Sequence, residues 1–159
     1  MLRRTPLPVL AFASLIFAQP DADARSPIQT SQGSNCNPKA GSTDGVIVDH
    51  DQWGVRNTST AVDASVVCGT QLQLGTNTKV TAVVYDRHST RDVCCTAVVQ
   101  DFDGDTLTSA QACTSNSSAV AYTLTMDFPN TDSPVVSMEC SIPRRVGNNI
   151  SHVTSYTVH

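Results

Sequence analysis

The chain has 159 residues, six cysteines and a net charge of −4, with 5% aromatic and 15% charged residues. That length suits one domain. Ten basic residues against fourteen acidic ones leave no basic field to hold phosphates, which argues against nucleic acid as a partner.

Residues 1–24 read as a signal peptide. Arg3 and Arg4 precede a twelve-residue apolar stretch, Leu7 to Ala18. Ala22 and Ala24 then place small residues where a signal peptidase reads. Cleavage is expected after Ala24, with Ala18 as the second candidate. A membrane span needs about 20 apolar residues, and this run is shorter and flanked by Pro6 and Pro8. No later stretch is long enough for a transmembrane anchor. The expected location is therefore secreted or periplasmic.

Residues 25–159 keep all six cysteines, eight basic residues and twelve acidic ones. An even cysteine count in an exported chain predicts three disulfides. Cys-x-x-Cys is absent, and adjacent Cys94 and Cys95 are poorly spaced as zinc ligands. The whole chain holds 19 Thr and 19 Val, whereas residues 25–159 hold four Leu, two Lys and one Glu. That composition favours strands over helices.

Residues 25–43 are rich in Ser, Gln, Gly, Asn and Pro, and read as a polar extension tied down at Cys36. Residues 44–159 form the expected domain. Val62, Ala64, Val66 and Cys68 share one face of a period-two run. Thr78 to Tyr85 is more evenly apolar and reads as a central strand. Val120, Tyr122, Leu124, Met126 and Phe128 share a face, as do Val136, Met138, Cys140 and Ile142. Turn signals separate the runs at Asp44-Gly45, Gly75 with Asn77, Asp103-Gly104, Asn130 to Pro134, and Gly147-Asn148-Asn149. The prediction is an all-β, antiparallel β-sandwich of about eight strands, disulfide-stabilised and compatible with a jelly roll.

One hairpin can be derived in register. A two-residue type I′ turn at Asp103-Gly104 pairs Val98 with Ser109, Thr96 with Gln111 and Cys94 with Cys113. Directly opposed cysteines can form a disulfide. Cys95 then faces the other way, with Ala97 and Val99, into the core. A one-residue bulge would break this construction. Three pairings remain for Cys36, Cys68, Cys95 and Cys140; the preferred one is Cys36–Cys68 with Cys95–Cys140.

Candidate chemistry is sparse. Asp101, Asp103 and Asp105 alternate as in a calcium loop. Position six of that loop is Thr106 instead of Gly, and position twelve is Ala112 instead of Glu, so a soluble hairpin tip is the preferred reading. Asp49, His50 and Asp51 form the one local cluster worth testing. With Asp86 and His88 they are the candidates for a small hydrolase site. The default for His50, His88, His152 and His159 is a solvated position. The sole glutamate, Glu139, lies on a polar strand face. The sole tryptophan, Trp53, reads as a core or sheet-edge anchor in preference to a ligand platform. Asn57, Asn116 and Asn149 open glycosylation sequons. No G-x-S-x-G is present.

Several segments carry a resemblance. They are Cys36-Asn37-Pro38, Asn57-Thr58-Ser59 ahead of Val66-Val67-Cys68, and Val84 to His88 ahead of Val93-Cys94-Cys95. Met138 to Pro143 and Ile150 to Val158 complete the set. The chain resembles a loose group of small exported bacterial β-sandwich proteins that have no assigned activity. Gly69 departs from the group, whose members usually have proline after the second cysteine, and the Cys94/Cys113 pair is an addition. The resemblance implies a bacterial source and an extracytoplasmic place, and it carries over no catalytic residue. The expected function is a non-catalytic module that binds a protein or glycan at the cell surface, or has a structural role there, without a cofactor. The rivals are a small secreted hydrolase and a calcium-dependent adhesion module.

Overall fold

The computed structural model describes residues 29–39, 48–72, 77–115, 120–129 and 135–159. Residues 1–24, Asp44-Gly45, Gly75, Asn116 and the 130–134 turn lie outside that set. Eleven strands occur among the described residues: β1 Gln29–Gln32, β2 Asn37–Pro38, β3 Val48–Asp51, β4 Gly54–Asn57, β5 Ala64–Leu72, β6 Asn77–Tyr85, β7 Cys94–Gln100, β8 Thr106–Cys113, β9 Tyr122–Pro129, β10 Val135–Ile142 and β11 His152–Val158. No helix among these residues is long and apolar enough to cross a membrane.

The strands form two antiparallel sheets. One runs β3-β4-β11-β6-β9, with β1 also on β11; the other runs β2-β5-β10-β7-β8. Strands β4 to β11 alone give 4-11-6-9 facing 5-10-7-8, which is jelly-roll connectivity. The expected eight strands are thus present, extended at the edges by β1, β2 and β3.

Period two explains the core. Leu124, Met126 and Phe128 of β9, and Val136, Met138, Cys140 and Ile142 of β10, are buried between the sheets. Burying each of these large side chains is worth roughly 1.5–3 kcal/mol. Two predicted members fall outside. Val62 and Val120 are 49% and 67% exposed, because each precedes the first residue of its strand.

Residues 25–43 are not the simple extension that their composition suggests. Residues 29–32 pair with β11 and residues 37–38 with β5, so this polar segment contributes an edge strand to each sheet. Such strands are held by backbone pairing and carry no apolar alternation to announce them.

The β7–β8 register matches the derived one from Cys94↔Cys113 to Val98↔Ser109, yet the turn differs. Asp101 N–H donates to Asp105 O at 3.0 Å, and Gly104 adopts φ +91°, so the loop is the three residues Phe102 to Gly104. Gln100 faces Thr106 and Val99 faces Thr108, leaving Leu107 as an extra residue. The odd loop shifts the register by one, and this bulge shifts it back.

Three disulfides close the scaffold: Cys36–Cys68, Cys94–Cys113 and Cys95–Cys140. Cys95 and Cys140 are buried in the core, and Cys94–Cys113 lies on the outer face of the same sheet.

Candidate functional site

Val55, Val84 and Val153 point into the core from β4, β6 and β11. Their neighbours Arg56, Tyr85 and His152 therefore face outward. Strand register sets Asp49, Arg56, His152 and Tyr85 opposite one another in a single row across β3, β4, β11 and β6.

The row is internally bonded. Arg56 donates from Nε and Nη2 to Asp49 Oδ2, and its Nη1 lies 3.0 Å from Asp51 Oδ2. The hydrogen bond from Arg56 holds the Asp49 carboxyl below the usual range, and the same bond raises Arg56. Tyr85 and His152 stack, with ring centroids 4.7 Å apart. Burial is the main cause that lowers the His152 pKa. Beyond the end of β6, the Arg87 guanidinium carbon sits 5.8 Å from the Tyr85 ring centroid.

Two turns wall this row. At the β3–β4 turn, Trp53 N–H donates to Asp51 Oδ1 at 2.7 Å, and Gly54 has φ +128°. The other turn closes through reciprocal backbone bonds between Val146 and Asn149, with Gly147 at φ +59°. Between them lies a cleft of about 330 Å³ lined by Asp51, Trp53, Arg56, Arg87, Asn148, Asn149, Ile150 and His152. Trp53 corrects the sequence expectation. It is 63% exposed, because it occupies a turn instead of a strand position facing the core.

A buried polar cluster adjoins the cleft through Ser151 and Arg87. The Asp86 carboxyl is fully buried. It accepts from Thr114 Oγ1, from Ser151 Oγ at 3.2 Å and from His88 N–H at 3.0 Å. Ser151 Oγ also accepts from Arg87 N–H at 2.9 Å, which ties the cluster to the cleft. His88 is 4% exposed, not the solvated loop residue expected. Its Nδ1 accepts from the Thr90 and Arg91 amides, which turns the ring inward and places the ring proton on Nε2. His88 also borders a separate cavity of about 230 Å³, with Ser89 to Asp92 and Ser115.

The hydrolase candidates do not assemble. Asp49 and Asp51 serve Arg56, His50 Nε2 donates to Cys36 O at 2.7 Å, and Asp86 and His88 belong to the buried cluster. No hydrogen bond between described residues joins the His50 or His88 ring to a carboxyl group. Glu139 is half-exposed and pairs with Lys39 at 2.9 Å. Asn57 of the first sequon is fully buried, donating to Val62 O and Ile142 O, so it is structural in the folded chain. Asp101 Oδ1 accepts from the Asp103 and Asp105 amides, and among the described residues no group of three or more His, Cys, Asp or Glu is placed to hold a metal ion.

The cleft residues are individually visible in the sequence, but only Asp51 is among the hydrolase candidates that the sequence offers. Arg56, Arg87 and Asn148 offer no functional motif, and Asn149 only opens a glycosylation sequon. Alternation with buried Val55 signals Arg56 and the turn residues around Gly147 signal Asn148 and Asn149, whereas Arg87 has neither signal.

No protein-family profile and no curated protein match this chain. Solved structures do. The chain is similar to a CBM36 carbohydrate-binding module in complex with calcium and xylotriose, at TM-score 0.51 and 10% identity over 82% of this chain and 99% of that one. It is similar to the CBM36-1 domain of a multidomain xylanase from the hindgut metagenome of Trinervitermes trinervoides, at TM-score 0.50 and 12% identity over 84% and 97%. It is also similar to the infectious bursal disease virus VP2 subviral particle, at TM-score 0.51 and 10% identity over 96% of this chain and 36% of that one. At such identities the likeness establishes the fold alone, a β-sandwich.

Proposed function

We propose that the protein is an exported, non-catalytic binding module that holds a short saccharide in the cleft between the Trp53 turn and the Val146–Asn149 turn. The exposed Trp53 carries this reading. A tryptophan left 63% accessible beside a polar cleft offers a flat apolar face to the C–H surface of a sugar ring. Asn148, Asn149 and Asp51 supply donors and acceptors for hydroxyls. The volume falls at the small end of ligand pockets, roughly 300–1,000 Å³. Two of the structures sharing this fold are carbohydrate-binding modules, which supports the reading. The disulfides and the signal-like segment 1–24 support an extracytoplasmic place.

Trp53 is the sole tryptophan, so its fluorescence reports on this site alone. The test titrates the oxidised protein with a panel of soluble oligosaccharides while following tryptophan emission, with calorimetry in parallel. The expected result is saturable binding to at least one sugar, weakened at least about tenfold by Trp53→Ala. Absence of binding across the panel, or binding indifferent to Trp53→Ala, would overturn the proposal.

A further inference from the structure

Resting on that reading, we infer that the saccharide is acidic, with its carboxylate held by Arg87. The two guanidinium groups of the cleft are in different states. Arg56 is committed to Asp49 and Asp51. Arg87 has no carboxyl partner among the described residues. Its backbone is anchored through Ser151, and its guanidinium approaches the Tyr85 ring, which is itself stacked on His152. Cation–π attraction to a ring consumes no carboxylate acceptor, so a guanidinium so placed still has N–H groups to donate. Those donors form the planar fork that a carboxylate accepts in bidentate fashion.

The surroundings narrow the ligand further. The chain carries a net charge of −4, so general attraction does not explain an anionic ligand; a local cation must. Asp51 also lines the cleft, but its carboxyl is already paired with Arg56. Trp53 lines the same cleft, which lets one ligand present a sugar face to the indole and a carboxylate to Arg87. A uronic acid has both groups on one ring.

The test uses oligogalacturonate, oligomannuronate and glucuronoxylan fragments, each beside its own methyl ester. Esterification removes the charge and keeps the sugar. Trp53 fluorescence and calorimetry are followed on the wild-type protein, Arg87→Gln and Arg87→Lys. At least one acid is expected to bind at least about tenfold more tightly than its ester. That advantage should shrink to about twofold in Arg87→Gln, be partly kept in Arg87→Lys, and weaken as salt rises. If acid and ester bind alike while Trp53→Ala still abolishes binding, the acidic-ligand inference falls and the saccharide reading stands. The same holds if the acid preference survives Arg87→Gln. If no sugar binds in either form, both fall.

Discussion

His152 and Tyr85 stand directly opposite each other on β11 and β6 and stack at 4.7 Å, with ring planes 22° apart. The imidazole is partly buried, and that burial lowers the pKa of His152 from its ordinary 6.5, outweighing a backbone hydrogen bond with Ile150 and the Asp51 charge, which raise it; Arg87 and Arg56 push it further down. A histidine depressed in the folded state is protonated first in the unfolded chain. Its stabilising contribution is complete above about 6.5 and is lost as pH falls through the folded value. The melting temperature should therefore drop on acidification below pH 6.5, and His152→Gln should remove that part of the slope. Asp49 is also depressed, but as a carboxyl it acts only near and below pH 4. Thermal melts of both proteins across pH 4–8 check this; parallel curves would refute it.

Asp86 joins the ends of both sheets. Thr114 and Ser151 follow and precede strands of different sheets, and both donate to the one buried carboxyl. Asp86→Ala would orphan three donors and is expected to cost about 3 kcal/mol or more in urea unfolding. Ser151→Ala removes one of those bonds and the anchor for the Arg87 amide, at about 1–2 kcal/mol. If Asp86→Ala unfolds like the wild type, the cluster is not stabilising.

Gly54 has a reason to be glycine. Its φ is +128°, and a Cβ there would lie 2.0 Å from the Val153 carbonyl oxygen. A Cβ at Gly33 would meet the same oxygen at the same distance. The register of β11 shifts between Val153 and Ser155, where its outer partner changes from β4 to β1. Gly54→Ala should cost about 2 kcal/mol or more, from strain and forced backbone displacement. It should also weaken saccharide binding, because it moves the Trp53 turn. Chemical denaturation and the fluorescence titration measure the two effects.

The disulfides should differ in worth. Loop-closure entropy gives about 3 kcal/mol for Cys94–Cys113, which closes the shortest loop, and about 4 kcal/mol for Cys95–Cys140, which closes the longest. Removing the second pair also leaves a cavity in the core. Cys94→Ala/Cys113→Ala should fold with a lowered melting temperature, and Cys95→Ala/Cys140→Ala should lose substantially more. The opposite order would contradict the burial.

Chelation is expected to leave the melting temperature unchanged. Asp101 already spends one oxygen on the Asp103 and Asp105 amides, closing its own loop. A drop with chelator that calcium restores would show a metal site after all.

Sequence alone determined the sandwich, the inward faces of β9 and β10, the β7–β8 register around Cys94 and Cys113, and the opposite facing of Cys94 and Cys95. All of these follow from local rules: side chains alternate every residue, and a short turn constrains the strands on either side. Tertiary structure alone decided the rest. The Asp49, Arg56, His152 and Tyr85 row joins the local β3–β4 hairpin to β11 and β6 from distant parts of the chain, and its register depends on backbone pairing that no single segment encodes. Trp53 is exposed and His88 buried, against their composition-based defaults, because a turn and a hydrogen-bonded cluster place them. The short strands β1 and β2 are polar and patternless, and they exist because β11 and β5 offer backbone groups that need partners.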